Sequence, residues 1–116
     1  MRTRISTQAI VVLTTAASRR DAAAIARTLV DERLAACVNV IGPIRSVYRW
    51  RGAVEDDAEF LLAIKTRADR YPDVERRVQE LHSYENPELI AIAVERGAPR
   101  YLEWLLESVR PAKAKK

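Results

Sequence analysis

The chain has 116 residues and a mass of 13.1 kDa, which is the size of one domain. Hydrophobic residues make up 48% and charged residues 31%, a balance that excludes intrinsic disorder. Cys37 is the only cysteine, and the three glycines are widely separated, so the sequence excludes a disulfide framework, a zinc ribbon, a phosphate-binding loop and a dinucleotide-binding fingerprint.

The formal net charge of +4 comes from the C-terminal end of the chain. Lys and Arg number 20 and Asp and Glu 16, and four of the basic residues lie after position 109, which leaves 16 against 16. We therefore expect a nearly neutral single domain over residues 1–110 and a disordered basic tail over residues 111–116. Outside residues 48–51, aromatic residues do not alternate with the basic ones, so we expect no nucleic-acid partner.

The sequence also predicts the cellular location of the protein. Its longest apolar run is much shorter than the roughly 20 residues that a membrane-spanning helix needs, so no membrane association is expected. Residues 1–8 lack the apolar core of a secretion signal. A cytoplasmic location is expected, and a single reduced cysteine is consistent with it.

The first half of the chain predicts a strand, a helix and a long hairpin. Residues 9–15 are apolar and β-branched, as in a buried strand, and Ser18 can cap a helix that runs to about Arg33. A second strand starts near Ala36, and the Gly42-Pro43 pair must break or bulge it. After a turn at Gly52, a third strand runs back over residues 54–66.

The second half predicts a helix over residues 69–82, a strand over residues 88–94 and a final helix that ends at Pro111. The order βαββαβ plus a helix predicts an α+β ferredoxin-like sandwich. The central hairpin, over residues 44–66, would extend roughly 26 Å per arm, beyond what two helices can cover. An exposed ribbon of this kind usually pairs with another chain.

Candidate chemistry starts from Cys37 and His82, each the only residue of its kind. Together they could ligate a soft or borderline cation, but they cannot fill a four-coordinate site alone. Carboxylates such as Glu59 or Glu85, or a second subunit, would have to complete the site. The alternative is that neither residue binds a metal. Cys37 would then be a small buried apolar residue, and His82 would be favourable at a helix C-terminus because its positive form interacts well with the helix dipole.

Two further features qualify as parts of a site. Residues 82–88 form a connector that is dense in polar and aromatic side chains, and loops on rigid scaffolds often carry sites. Glu59 and Lys65 are predicted to share one strand face, either as a solvated ion pair or as the floor of a pocket.

Several motifs together resemble the CutA divalent-cation-tolerance proteins. The matching residues occur in the same order and spacing over about residues 8–109: Leu34, Ala35, Ala36, Cys37, Val38, Asn39, Val40, Ser46, Tyr48, Trp50, Gly52, Glu55, Glu59, Leu61, Leu62, Lys65, Thr66, His82, Tyr84, Glu85, Pro87 and Glu88. The chain departs from the family at Ser83, where proline is usual, and at Asn86, where an aliphatic residue is usual.

The resemblance implies a cytoplasmic homotrimer with long hairpins paired between subunits, as in the PII signalling proteins. It implies a role in divalent-metal tolerance, with copper or another divalent cation bound, no organic cofactor and no catalytic activity. Carried over by position, the metal ligands would be Cys37, Glu59, His82 and Glu85. The ligand-binding residues of the inter-subunit cleft would be Tyr48, Trp50, Lys65 and Tyr84.

Two alternatives stay open at the level of sequence. One is a PII-like signalling trimer that binds a small anionic ligand in its clefts, with Lys65 as the anion contact. The other is a small enzyme that uses Glu59 or Glu85 as a base and Tyr84 as an acid.

Overall fold

The computed structural model describes residues 8–111, so the basic tail predicted over residues 111–116 lies outside the described residues except for Pro111. A short 3-10 turn precedes the second helix. The helices and strands, in chain order, are β1 (Ala9–Ala16), α1 (Arg19–Asp31), β2 (Cys37–Trp50), β3 (Ala53–Arg67), α2 (Tyr71–Leu81), β4 (Ile90–Ala93) and α3 (Pro99–Ser108).

All four strands form one antiparallel sheet in the order β2-β3-β1-β4. The two central strands are therefore the first and third in sequence, as a pair of interlocked βαβ units requires. The predicted α+β ferredoxin-like sandwich is confirmed. Within residues 8–111, no helix combines the length and the apolar character needed to cross a membrane.

One face of the sheet carries the main core. Alternate strand residues point toward α1 and α2 and pack with the apolar stripes of these helices. The core comprises Ile10, Val12, Ala16, Ala22, Ile25, Leu29, Leu34, Ala35, Leu62, Ile64, Val74 and Val78.

The opposite face, called here the open face, is only partly covered. At one end α3 packs on it: the Arg67 guanidinium donates to the Leu106 carbonyl at 3.5 Å, and the Lys65 ammonium lies 6.0 Å from the Tyr101 ring centre. Beyond α3 this face carries apolar side chains, among them Ile41, Ile90 and Ile92, which are each about half exposed.

Several element boundaries differ from the predicted ones, and α3 ends at Ser108, before the predicted end at Pro111. Helix α1 is capped by the Ser18 hydroxyl, which accepts from the Asp21 amide at 3.0 Å, but it ends at Asp31 because Arg33 adopts a φ of 60°. Helix α2 begins at Tyr71, after the 3-10 turn, and ends at Leu81. Strand β4 covers only Ile90–Ala93, shorter than the predicted residues 88–94.

The Gly42-Pro43 pair produces a bulge and does not interrupt β2. The pairing register shifts by one residue between Ile41 and Ile44, and the strand continues to Trp50. A Cβ atom at Gly42 would lie 2.8 Å from the Phe60 ring, so this close approach requires glycine. The bulge therefore redirects the outer half of the hairpin without breaking the ladder.

The hairpin closes through a two-residue turn. Arg51 and Gly52 have φ values of 52° and 83°, and Trp50 pairs with Ala53 on either side of them. Positive φ at both central residues is what a type I′ turn requires. The turn thus matches the twist of the strands and gives the long ribbon a defined tip.

Candidate functional site

A cavity of about 790 Å³ lies between the outer half of the hairpin and the connector that follows α2. We call it the hairpin cavity. Charged, aromatic and small polar side chains line it: Thr15, Arg45, Ser46, Val47, Tyr48, Trp50, Glu59, Ser83, Tyr84, Glu85, Asn86 and Glu88. Five of the predicted site residues (Tyr48, Trp50, Glu59, Tyr84 and Glu85) are therefore brought together here.

Glu59 forms the inner wall of the cavity. It is only 6% exposed, and its Oε2 accepts a hydrogen bond of 2.6 Å from the Tyr84 hydroxyl. Burial, together with the Glu59 carboxylate, raises the pKa of Tyr84 well above its usual range. Tyr84 is therefore a neutral donor, and it fixes the connector to β3.

A second tyrosine and carboxylate lie next to this pair. The Tyr48 hydroxyl donates to Asp57 Oδ2 at 2.7 Å, and this hydrogen bond raises the pKa of Tyr48 to about 12. Asp57 and Glu59 are two residues apart on β3, so strand alternation places both on one face. That face of the hairpin carries negative charge with phenol donors aimed at it.

His82 positions the connector. Its Nε2 lies 2.6 Å from the Thr15 carbonyl oxygen, and its Nδ1 accepts from the Tyr84 amide at 3.1 Å. Because a carbonyl can only accept, Nε2 carries the proton, and both ring nitrogens are engaged. The imidazole ring also stacks at 4.7 Å on the Tyr84 ring. A metal could bind His82 only by displacing one of these hydrogen bonds.

An ion pair joins the tip of the hairpin to the connector. The Arg51 guanidinium lies 2.6 Å from Glu85 Oε1, and it also sits over the Trp50 ring at 5.2 Å from the ring centre. Both Arg51 and Glu85 are largely exposed, so the pair positions the hairpin tip more than it stabilises the fold.

Cys37 and Lys65 lie at the other end of the sheet. They are paired across β2 and β3, whereas Glu59 pairs with Ile44. Six residues of strand separate Lys65 from Glu59, about 20 Å, so the Glu59–Lys65 ion pair considered from the sequence does not form. Glu59 lines the cavity, as predicted if the two residues form the floor of a pocket, but Lys65 does not line it. The Cys37 thiol lies 3.8 Å from Asn39 Oδ1.

The four predicted metal ligands do not converge within one chain. Glu59 contacts Tyr84, Glu85 pairs with Arg51, His82 is held by two hydrogen bonds, and Cys37 is at the start of β2, opposite Lys65 of β3. In the part of the chain that the structure describes, no three His, Cys, Asp or Glu side chains are grouped so as to hold a metal ion. One protomer alone does not fit a divalent metal.

This arrangement is also unfavourable for proton transfer from Tyr84 to Glu59. An efficient general acid has a pKa near the working pH, whereas the pKa of Tyr84 is raised far from it. The contact stabilises the protonated phenol, so the pair acts as a structural tie.

Three partners of the site were not identified from the sequence. Asp57 could have been found, because period-two alternation places it on the face of Glu59. The hydrogen bond from His82 to the Thr15 carbonyl joins residues 67 apart in sequence, and the Arg51–Glu85 pair joins residues 34 apart. Neither contact could be predicted from the local sequence. Such contacts depend on the tertiary register.

Comparison with known proteins identifies relatives over nearly the whole described region. Residues 10–108 match the family model described as CutA1 divalent ion tolerance protein. The divalent-cation tolerance protein CutA of Thermus thermophilus is 46% identical over 98 residues, which are 84% of this chain and 95% of that protein.

A plant relative and a plant structure agree with this match. The chloroplastic protein CutA of Arabidopsis thaliana is 44% identical over 101 residues, or 87% of this chain, and the chain spans only 56% of that longer protein. The crystal structure of CutA1 from Oryza sativa has a TM-score of 0.88 and 39% identity, covering 94% of this chain and 100% of that one.

Proposed function

Because this chain belongs to the CutA1 divalent ion tolerance family, we propose that it is a homotrimer that binds a divalent metal ion, copper above all, at a site shared between subunits. The Thermus relative is named for divalent-cation tolerance and not for a reaction. We accordingly propose a binding and metal-responsive role without catalysis.

The open face is the observation that carries the trimer proposal. Ile41, Ile90 and Ile92 lie on it, and their exposed fractions are 47%, 52% and 51%. Apolar residues that are contiguous on one sheet face usually mark an interaction surface, because burying them removes that area from water. An obligate interface of this kind should bury upward of about 2,000 Å².

The hairpin supports the same proposal. Strand β2 lies at one edge of the sheet and β4 at the other, so each has a row of backbone groups without a partner strand among residues 8–111. Val47 and Val54, on the outer hairpin, are 62% and 63% exposed. Backbone pairing of this ribbon with a neighbouring copy would satisfy the edge and cover both valines.

The dispersal of the predicted ligands supports a metal site shared between subunits. Glu59 and Glu85 line the hairpin cavity, but both ring nitrogens of His82 are engaged and Cys37 lies at the other end of the sheet, so side chains of different copies would have to complete a coordination shell. Copper is the leading metal, because it has the highest affinity among the divalent first-row ions for a given nitrogen and oxygen site. No described contact favours the anionic-ligand alternative, since Lys65 faces Tyr101 and not the cavity.

Copper titration of an interface variant tests this proposal. Ile92→Lys places a charge on the open face, and Val30→Lys places the same charge at an exposed position, 40% accessible, on α1. We expect wild type and Val30→Lys to be trimers with equal copper affinity, and Ile92→Lys to dissociate and to lose copper binding. A monomeric Ile92→Lys that binds copper as tightly as wild type would show that the metal site lies within one chain.

We propose a cytoplasmic location for the trimer. In that compartment the half-buried thiol of Cys37 stays reduced and available. The Arabidopsis relative is named as chloroplastic. Fractionation of cells that produce the native protein, with a cytoplasmic marker protein as the reference, tests the assignment.

A further inference from the structure

We draw no further inference here: the strongest candidate, the exposed surface patch that the neighbouring rings of Tyr101 and Trp104 form on α3, is an unpartnered aromatic face, and nothing among residues 8–111 shows what covers it.

Discussion

Tyr84 and Glu59, which are 25 residues apart in sequence, meet in a hydrogen bond of 2.6 Å that ties the connector after α2 to the middle of the hairpin. His82 secures the same connector from its other side, through the Thr15 carbonyl. The two contacts hold the connector against β1 and β3, and the hairpin cavity is the space that remains beneath the ribbon.

Removing the Tyr84 hydroxyl should destabilise the protein. Tyr84→Phe leaves the buried Glu59 carboxylate without its donor, and we expect a loss of about 1–3 kcal/mol in the free energy of unfolding. Urea denaturation measures it, with Tyr101→Phe at an exposed position as the control. If both variants match wild type, the hydrogen bond does not contribute to stability.

The ionisation of Tyr48 should depend on Asp57. The hydrogen bond to this carboxylate raises the pKa of Tyr48 to about 12, so Asp57→Asn should return the pKa toward the usual value of about 10. Because the pKa is raised on folding, this contribution to stability is complete below the unfolded pKa and is lost as pH rises through the folded one.

Ultraviolet absorbance of phenolate during an alkaline titration measures this shift. Asp57→Asn should show one tyrosine ionising earlier than in wild type, while Asp56→Asn, whose side chain pairs with Arg45, should not. Identical titration curves for wild type and Asp57→Asn would contradict the assignment.

The two positive-φ glycines should respond differently to substitution by alanine. At Gly42 a Cβ atom would lie 2.8 Å from the Phe60 ring and 3.1 Å from the Glu59 carbonyl oxygen, whereas at Gly52 it would meet open space. We expect Gly52→Ala to cost about 1 kcal/mol for its backbone conformation alone, and Gly42→Ala to cost more. Thermal unfolding of the two variants measures both losses of stability. Equal losses would contradict the prediction, because they would show that the neighbours of Gly42 move away from the added Cβ atom at little cost in free energy.

The sequence predicted the architecture well, because the architecture depends on local patterns. Apolar alternation located the strands, Ser18 located the start of α1, and the Gly42-Pro43 pair located the bulge. The end of α1 was missed because Arg33 takes a left-handed conformation that no nearby glycine signals. The length of β4 was also predicted wrongly, because it depends on how many residues pair with β1, its one neighbour in the sheet.

The site was predicted in part, because its contacts are not local. The family resemblance is confirmed, and it drew attention to Tyr48, Trp50, Glu59, Tyr84 and Glu85, which the structure does place around one cavity. Strand spacing alone could have separated Lys65 from Glu59, since six residues of strand are about 20 Å long. The partners of His82 required the tertiary structure, because a backbone carbonyl carries no sequence signal.

The homotrimer is the central claim, and the native mass of the unmodified protein tests it most directly. We propose that neighbouring copies cover the open face and the exposed hairpin valines. Native mass spectrometry or sedimentation equilibrium at micromolar concentration should give three times the 13.1 kDa of one chain. A mass equal to one chain at that concentration would contradict the trimer and, with it, the metal site shared between subunits.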